Sequence, residues 1–124
     1  MSSKLKLTRE STEQLDQLSS NLSLRRNIVC RLAISASLID DVSPTIEMDD
    51  LSGQEFNKST ILGTDEQIFT VLITQHYGTR IPDEVFFSKY VRAEIINGLS
   101  KLSKLYRQTN SPVVFMKKLS QSDF

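Results

Sequence analysis

The sequence contains few of the residues from which metal and redox sites are built. It has one cysteine, Cys30, one histidine, His76, and no tryptophan among its 124 residues. A single cysteine excludes a disulfide within the chain and a cluster of thiolate ligands, and a single histidine excludes a zinc site built on a histidine pair. We therefore expect no metal, no cofactor and no catalytic residue, so that the protein is not an enzyme.

Long apolar runs are also absent. No stretch approaches the roughly 18 apolar residues that a membrane span requires, and residues 1–4 have no apolar core of a signal peptide. Both absences predict a cytoplasmic protein with no membrane partner. The hydrophobic fraction of 39% and the charged fraction of 24% are typical of a globular domain.

Opposite charges balance in number but are segregated along the chain. Residues 1–39 carry six basic and three acidic side chains, residues 40–66 one basic and eight acidic, and residues 67–118 eight basic and three acidic. One interpretation is a solvated surface on which charges cluster by chance. The other is a basic face on the folded protein, which would attract an anionic partner.

The first 39 residues predict a short strand followed by two helices. Lysine and leucine alternate in "KLKL" (4–7), as a strand requires, and Thr8 and Ser23 are candidate N-caps of the helices. This is the order of the ribbon-helix-helix fold, in which two chains pair their N-terminal strands in the DNA major groove. Lys4 and Lys6 would then face DNA; alternatively, they protect a strand edge from aggregation.

The rest of the chain predicts two further helices. A long acidic connection over residues 40–63 precedes a third helix, which begins at Thr64 and ends at Gly78. A fourth helix begins at Pro82 and continues to about residue 107. The predicted fold is mainly α, with a ribbon-helix-helix-like start.

Two details complete the predicted organisation. Gly98 interrupts the apolar stripe of the fourth helix, which indicates that another backbone comes close at this position. Residues 108–124 mix a proline, the apolar run "VVF" (113–115) and a lysine pair (117–118), and they predict a C-terminal tail of low order. A single helical domain would then cover residues 1–107.

Several stretches resemble, in the same order, motifs of the DNA sulfur-modification family DndE. They are "NIVCRLAISASL" (27–38), "IEMD" (46–49) with "GQEF" (53–56), and "VRAEIINGLSKL" (91–102). The chain departs from the family pattern in lacking tryptophan. It also departs in having Glu94 and Ile96 where the late-helix motif of the family has histidines.

The resemblance implies a small accessory component of the bacterial system that replaces a non-bridging phosphate oxygen of DNA with sulfur. It implies a DndE-like helical homo-oligomer that binds double-stranded DNA and works with other DNA sulfur-modification proteins. We expect two or four chains and favour a homotetramer. Because sulfur exchange on a phosphate could require an opened backbone, we also expect a preference for nicked duplex.

The candidate DNA-binding residues are basic and come from two parts of the chain. They are Lys4, Lys6, Arg25, Arg26, Arg31, Lys101 and Lys104. Two alternatives remain: an oligomeric scaffold for the other modification proteins that never touches DNA, and a transcriptional regulator of the ribbon-helix-helix type. Cys30 lies among apolar residues and is predicted to be structural, and His76 is predicted to favour a helix end.

Overall fold

The structure is a computed structural model that describes residues 3–120, and it is mainly helical, as predicted. Its elements are β1 (Lys4–Lys6), α1 (Arg9–Leu22), α2 (Arg26–Leu38), β2 (Glu55–Asn57), α3 (Lys58–Leu62), α4 (Glu66–Tyr77), α5 (Asp83–Val85), α6 (Arg92–Thr109) and α7 (Pro112–Ser120). A π-helical segment over Phe86–Val91 joins α5 to α6. Among residues 3–120, no helix is long and apolar enough to cross a membrane.

The predicted order of strand, helix and helix is confirmed, but the strand has a different partner. β1 pairs antiparallel with β2 of the same chain, with Leu5 opposite Phe56. The ribbon-helix-helix interpretation instead requires β1 to pair with β1 of a second chain. The sequence interpretation missed β2 because the pairing joins segments about fifty residues apart and β2 is only three residues long.

The first predicted helix cap is confirmed and the second is wrong. The Thr8 hydroxyl accepts a hydrogen bond from the Ser11 backbone N–H at 3.0 Å and caps α1. Ser23 does not cap α2; it ends α1 in the left-handed region at φ 55°, where its N–H donates to backbone carbonyls of α1. Arg25 occupies the cap position of α2 without a side-chain hydrogen bond.

The core is centred on α2 and α6, which make the largest contact between any two elements of the described chain. Ala33 and Ile34 of α2 and Leu99 of α6 are fully buried there. Gly98 allows the close approach that its position in the sequence predicts: a Cβ atom at this residue would lie 1.7 Å from the Ala33 carbonyl oxygen. A side chain here would push the two helices apart.

The acidic connection contains more regular structure than predicted, because β2 and α3 lie inside it. The loop that precedes β2 is held by hydrogen bonds to the start of α1. The Asp50 side chain accepts a hydrogen bond from the Arg9 N–H at 3.2 Å, and the Gly53 N–H donates to the Leu7 carbonyl at 2.8 Å. Hydrogen bonds from Ser52 and then from Arg9 lower the pKa of Asp50.

The C-terminal part of the described chain is also more ordered than predicted. Residues 108–124 predict a tail of low order, whereas α6 continues to Thr109 and α7 follows over Pro112–Ser120. Phe115 is fully buried and lies 5.6 Å, between ring centroids, from Tyr106 of α6. One aromatic anchor thus holds α7 against α6, and the signal for it in the sequence was the apolar run from Val113 to Met116. The rest of the predicted tail, residues 121–124, lies outside the described residues.

Candidate nucleic-acid interface

Lys4 and Lys6 lie on the solvent-facing side of the two-stranded sheet. Both are exposed, whereas Leu5 between them is buried in the core. The alternation follows from the pleat, which directs successive side chains to opposite faces. On the neighbouring strand, Glu55 is opposite Lys6, and its carboxylate lies 3.9 Å from Lys4 Nζ.

Arg25 and Arg26 lie where α2 begins, and both are exposed. Arg26 Nε donates to Asp16 Oδ1 of α1 at 2.8 Å, with both side chains about half exposed. Such an exposed ion pair contributes little to stability, typically about 0–1 kcal/mol.

A shallow surface depression of about 620 Å³ connects this helix start with the sheet. Arg25 and Arg26 line it together with Gln54 and Phe56, and β1 is the strand hydrogen-bonded to β2. The structure therefore places Arg25 and Arg26 beside the face of the sheet that carries Phe56, and Lys4 and Lys6 on its opposite, exposed face, so that all four lie around one small sheet. We call these four residues, Lys4, Lys6, Arg25 and Arg26, the basic surface.

The other three candidates have different surroundings. Arg31 Nε donates to the Ile61 carbonyl at 2.7 Å and so ties α2 to the end of α3. Lys101 Nζ donates to the Ala36 carbonyl at 3.1 Å and forms an ion pair with Asp40. Lys104, one turn further along α6, is exposed.

Polar side chains meet near the C-terminal end of α2, around Ser37 and Glu94, which are fully buried. We call this group, Ser37, Asp40, His76, Glu94, Asn97 and Lys101, the buried polar cluster. Glu94 has no exposed surface, yet both of its carboxylate oxygens are paired. Oε1 accepts from Ser37 Oγ at 2.6 Å, and Oε2 lies 2.6 Å from His76 Nδ1.

Asp40 and Asn97 extend this network from Glu94 to the loop after α2. Asn97 Nδ2 donates to Ser37 Oγ at 2.8 Å and to Asp40 Oδ2 at 3.0 Å. Because Ser37 Oγ accepts from Asn97, its own proton is available for Glu94. Each donor thus has an acceptor, which is the condition for burying so many polar groups.

The two neighbours of the His76 ring determine its protonation. Nε2 lies 2.8 Å from the Asp40 carbonyl oxygen, which can only accept, so Nε2 carries a proton. Burial disfavours the charged ring, but the hydrogen bonds to Glu94 and to the Asp40 carbonyl outweigh it and raise the pKa of His76. The 2.6 Å separation of Nδ1 and Glu94 Oε2 is that of a hydrogen bond, and this contact favours the charged form of the ring.

The sequence interpretation missed this cluster. His76 is in the last turn of α4, as predicted, but its partner is Glu94, which the sequence presents only as a departure from a family motif. A usable signal was present: Glu94 follows Ala93 and precedes two isoleucines, Ile95 and Ile96, and a buried carboxylate needs a partner.

Cys30 is fully buried in α2. Burial raises the pKa of its thiol to about 12, so the sulfur is protonated at neutral pH. Within residues 3–120, no group of three or more histidine, cysteine, aspartate or glutamate side chains is arranged to hold a metal ion.

Comparisons with known proteins agree with the fold. A crystal structure of DndE from Escherichia coli B7A, involved in DNA phosphorothioation modification, is similar with a TM-score of 0.65 and 22% identity. The match covers 82% of this chain and 98% of that chain. A crystal structure of a DndE mutant involved in DNA phosphorothioation is similar to the same degree and is covered to 97%. No curated protein matches this chain.

The family model described as "DNA sulphur modification protein DndE" matches residues 4–110. The match begins with β1, includes the basic surface and the buried polar cluster, and ends just after α6. It leaves out α7, which is an addition of this chain to the matched region. Since the match spans most of the chain and the fold agrees with solved DndE structures, this protein belongs to the DndE family of DNA sulfur-modification proteins.

Proposed function

We propose that this protein is a DNA-binding accessory subunit of the DNA phosphorothioation system, with the basic surface as its contact to the phosphate backbone. The match of residues 4–110 to the DndE family carries the proposal. The two solved structures described above are of DndE proteins involved in DNA phosphorothioation. A protein that assists a reaction at a DNA phosphate is expected to contact the phosphate backbone rather than the base edges.

The chemistry of the basic surface supports contact with phosphate and little sequence readout. Lys4 and Lys6 are point charges on a short strand, which suit non-specific attraction to phosphate. Arg25 and Arg26 line a shallow depression with polar neighbours. Glu55 and Asp16 lie next to the basic groups and partly neutralise them, so moderate affinity and strong salt dependence are expected.

A duplex-binding assay over a series of salt concentrations tests the proposed contact. Replacing Lys4 and Lys6 with alanine should lower affinity for all duplexes alike. It should also reduce the slope of log affinity against log salt by roughly 0.9 for each lost phosphate contact. The matched control is Lys117→Ala with Lys118→Ala in α7, which removes the same charge outside the family match. Equal losses in both double variants, or no binding by the wild type at low salt, would contradict the proposed surface.

We further propose that nicked duplex binds more tightly than intact duplex. A nick makes bending cheaper, so a duplex that bends to contact several basic residues does so at a lower deformation energy. Competition between nicked and intact duplexes of one sequence measures this preference. Equal affinities would remove the nick preference and leave backbone binding in place.

We also propose that the protein is a homo-oligomer, a tetramer being favoured. Small closed oligomers of two or four copies are the commonest symmetric assemblies. Several copies of a weak basic surface on one DNA would raise the overall affinity through effective concentration. Light scattering at micromolar concentration should give a mass of two or four chains, and a monomer would overturn this part of the proposal.

A scaffold for the other modification proteins is the second candidate. It is favoured by apolar residues exposed on α7, such as Val113 and Met116, which lie outside the matched region of the family. A scaffold would bind the other modification proteins in the absence of DNA and would show no salt-dependent shift of a duplex.

A further inference from the structure

The outward side of α4 is apolar and uncharged. Ile68, Val71 and Leu72 are 61%, 57% and 40% exposed, and their spacing places them on one side of the helix. Phe69 and Ile73, on the other side, are buried in the core. We call the three exposed residues the α4 stripe.

Solvent-facing helix surfaces normally carry charged side chains, and this one does not. From residue 67 to residue 75, α4 contains no charged residue; the exposed neighbours of the stripe are Gln67 and Gln75. Contiguous exposed apolar residues with a polar, uncharged border are typical of a contact surface. The α4 stripe therefore has the composition of an interface on a helix that already buries its other side.

We propose that the α4 stripe docks against the α4 stripe of a second copy of this chain, with the two helices antiparallel about a two-fold axis. The inference rests on the homo-oligomer of the proposed function and assigns one of its interfaces. The centre of the helix, Glu66–Tyr77, falls between Val71 and Leu72. A two-fold axis at this point places Val71 of each copy against Leu72 of the other, as an isologous contact requires.

The charges at the two ends of α4 are complementary in this arrangement. Asp65 precedes the helix and Arg80 follows it, both exposed, and neither forms an ion pair with another residue of the described chain. They are separated by a helix about 18 Å long, so they cannot pair within one copy. In an antiparallel pair, Asp65 of one copy lies beside Arg80 of the other. The two-fold axis produces a second, identical ion pair at the other end of the contact.

The size of the stripe indicates its place in the assembly. A single pair of helices about 18 Å long buries less than the roughly 800 Å² per partner that is usual for a stable interface. The α4 contact therefore adds to a second interface, as in a dimer of dimers, rather than holding a dimer alone. Breaking it should halve the assembly instead of releasing monomers.

A charged residue in the stripe tests the contact. Val71→Glu should reduce the mass of the full-length oligomer by half in light scattering, because two carboxylates would meet at the two-fold axis. Val113→Glu in α7 is the matched control, since Val113 is 67% exposed, and it should leave the mass unchanged. Circular dichroism checks that both variants are folded.

A charge exchange then tests the proposed direction of the helices. Asp65→Arg and Arg80→Asp alone should each weaken the assembly by about tenfold, because like charges would meet across the contact. The double variant restores opposite charges between copies and should recover the wild-type assembly. A parallel arrangement brings like charges together in the wild type and in every variant, so it predicts no loss in either single variant, and that result would overturn the proposed geometry.

The outcomes separate this inference from the function on which it rests. An oligomeric wild type with an unchanged mass in Val71→Glu would overturn the α4 contact and leave the homo-oligomer in place. A loss of binding to another modification protein in Val71→Glu, with the mass unchanged, would assign the stripe to that partner and also overturn it. A monomeric wild type would overturn both proposals.

Discussion

Two groups of charged and polar residues lie at opposite ends of α2 and meet different surroundings. At its start, the basic surface points charges into solvent beside a small sheet, with exposed ion pairs to Glu55 and Asp16. Beyond its end, the buried polar cluster holds a carboxylate with no exposed surface and pairs each of its oxygens. The same residue types therefore perform different tasks.

The difference lies in the cost of leaving a group unpaired. In the buried polar cluster, a lost partner leaves a desolvated charge, so the cluster fixes the positions of α2, α4 and α6 relative to one another. On the basic surface, water replaces a lost partner at little cost. The cluster is thus suited to specify the fold. The side chains of the basic surface are suited to leave a carboxylate of their own chain and to bind a phosphate instead.

The largest difference between the two regions is expected from removing one carboxylate in each. Glu94→Ala should lower the free energy of unfolding by about 3 kcal/mol or more, because it leaves buried His76 and Ser37 without their acceptor. Glu55→Ala, on the sheet, should change it by less than about 0.5 kcal/mol. Urea unfolding monitored by circular dichroism measures both values.

If Glu94→Ala does not fold, Glu94→Gln provides the comparison, since it keeps the shape and one acceptor. Similar losses for the variants at residues 94 and 55 would show that the buried polar cluster does not specify the fold in the way argued above.

The second largest effect is expected at the contact that brings the cluster together. Gly98→Ala places a methyl group against the Ala33 carbonyl and should cost about 1–3 kcal/mol through overpacking. Ser100→Ala, two residues along the same helix, is the control and should stay within about 0.5 kcal/mol. If the two variants were equally stable, the close approach of α2 and α6 would not limit stability.

In both regions, features that depend on neighbouring residues could be predicted from the sequence, whereas contacts between residues far apart in the chain could not. The Thr8 cap depends on a residue three positions away, and the Gly78 end of α4 depends on a left-handed glycine; both were predicted. The partner of β1 is β2, about fifty residues distant, and a three-residue strand has no periodicity from which to recognise it. The pairing of β1 with β2 could therefore not be predicted from the sequence.

Lys101 and Lys104 illustrate the same limit within the candidate site. Both are lysines on α6 and only three residues apart, and the sequence assigned them one role. Lys101 reaches Asp40 and the Ala36 carbonyl in the cluster, whereas Lys104 is exposed. Which of the two lysines reaches the cluster depends on which side of α6 packs against α2. The sequence alone does not show that side, because it depends on how the two helices pack.

A smaller effect is expected from Cys30, which lies between the two regions on α2. Cys30→Ala should cost roughly 1–2 kcal/mol as a small truncation in the core. DNA binding and sulfur modification in vivo should remain, because a buried protonated thiol is a poor nucleophile. A folded, DNA-binding Cys30→Ala protein that had lost sulfur modification would show that the thiol takes part in the chemistry.

The smallest effect is expected from the protonation of the buried polar cluster, and it distinguishes the cluster from the basic surface by pH. Because the pKa of His76 is raised above its ordinary value of 6.5, the contribution of its charged form is fully present below pH 6.5. It is lost as pH rises through the folded pKa. The free energy of unfolding should therefore decline above pH 6.5. In Glu94→Gln, which removes the carboxylate that favours the charged ring, this decline should be weaker, whereas Glu55→Gln should retain it. An equal decline in both variants would assign the pH dependence to other groups.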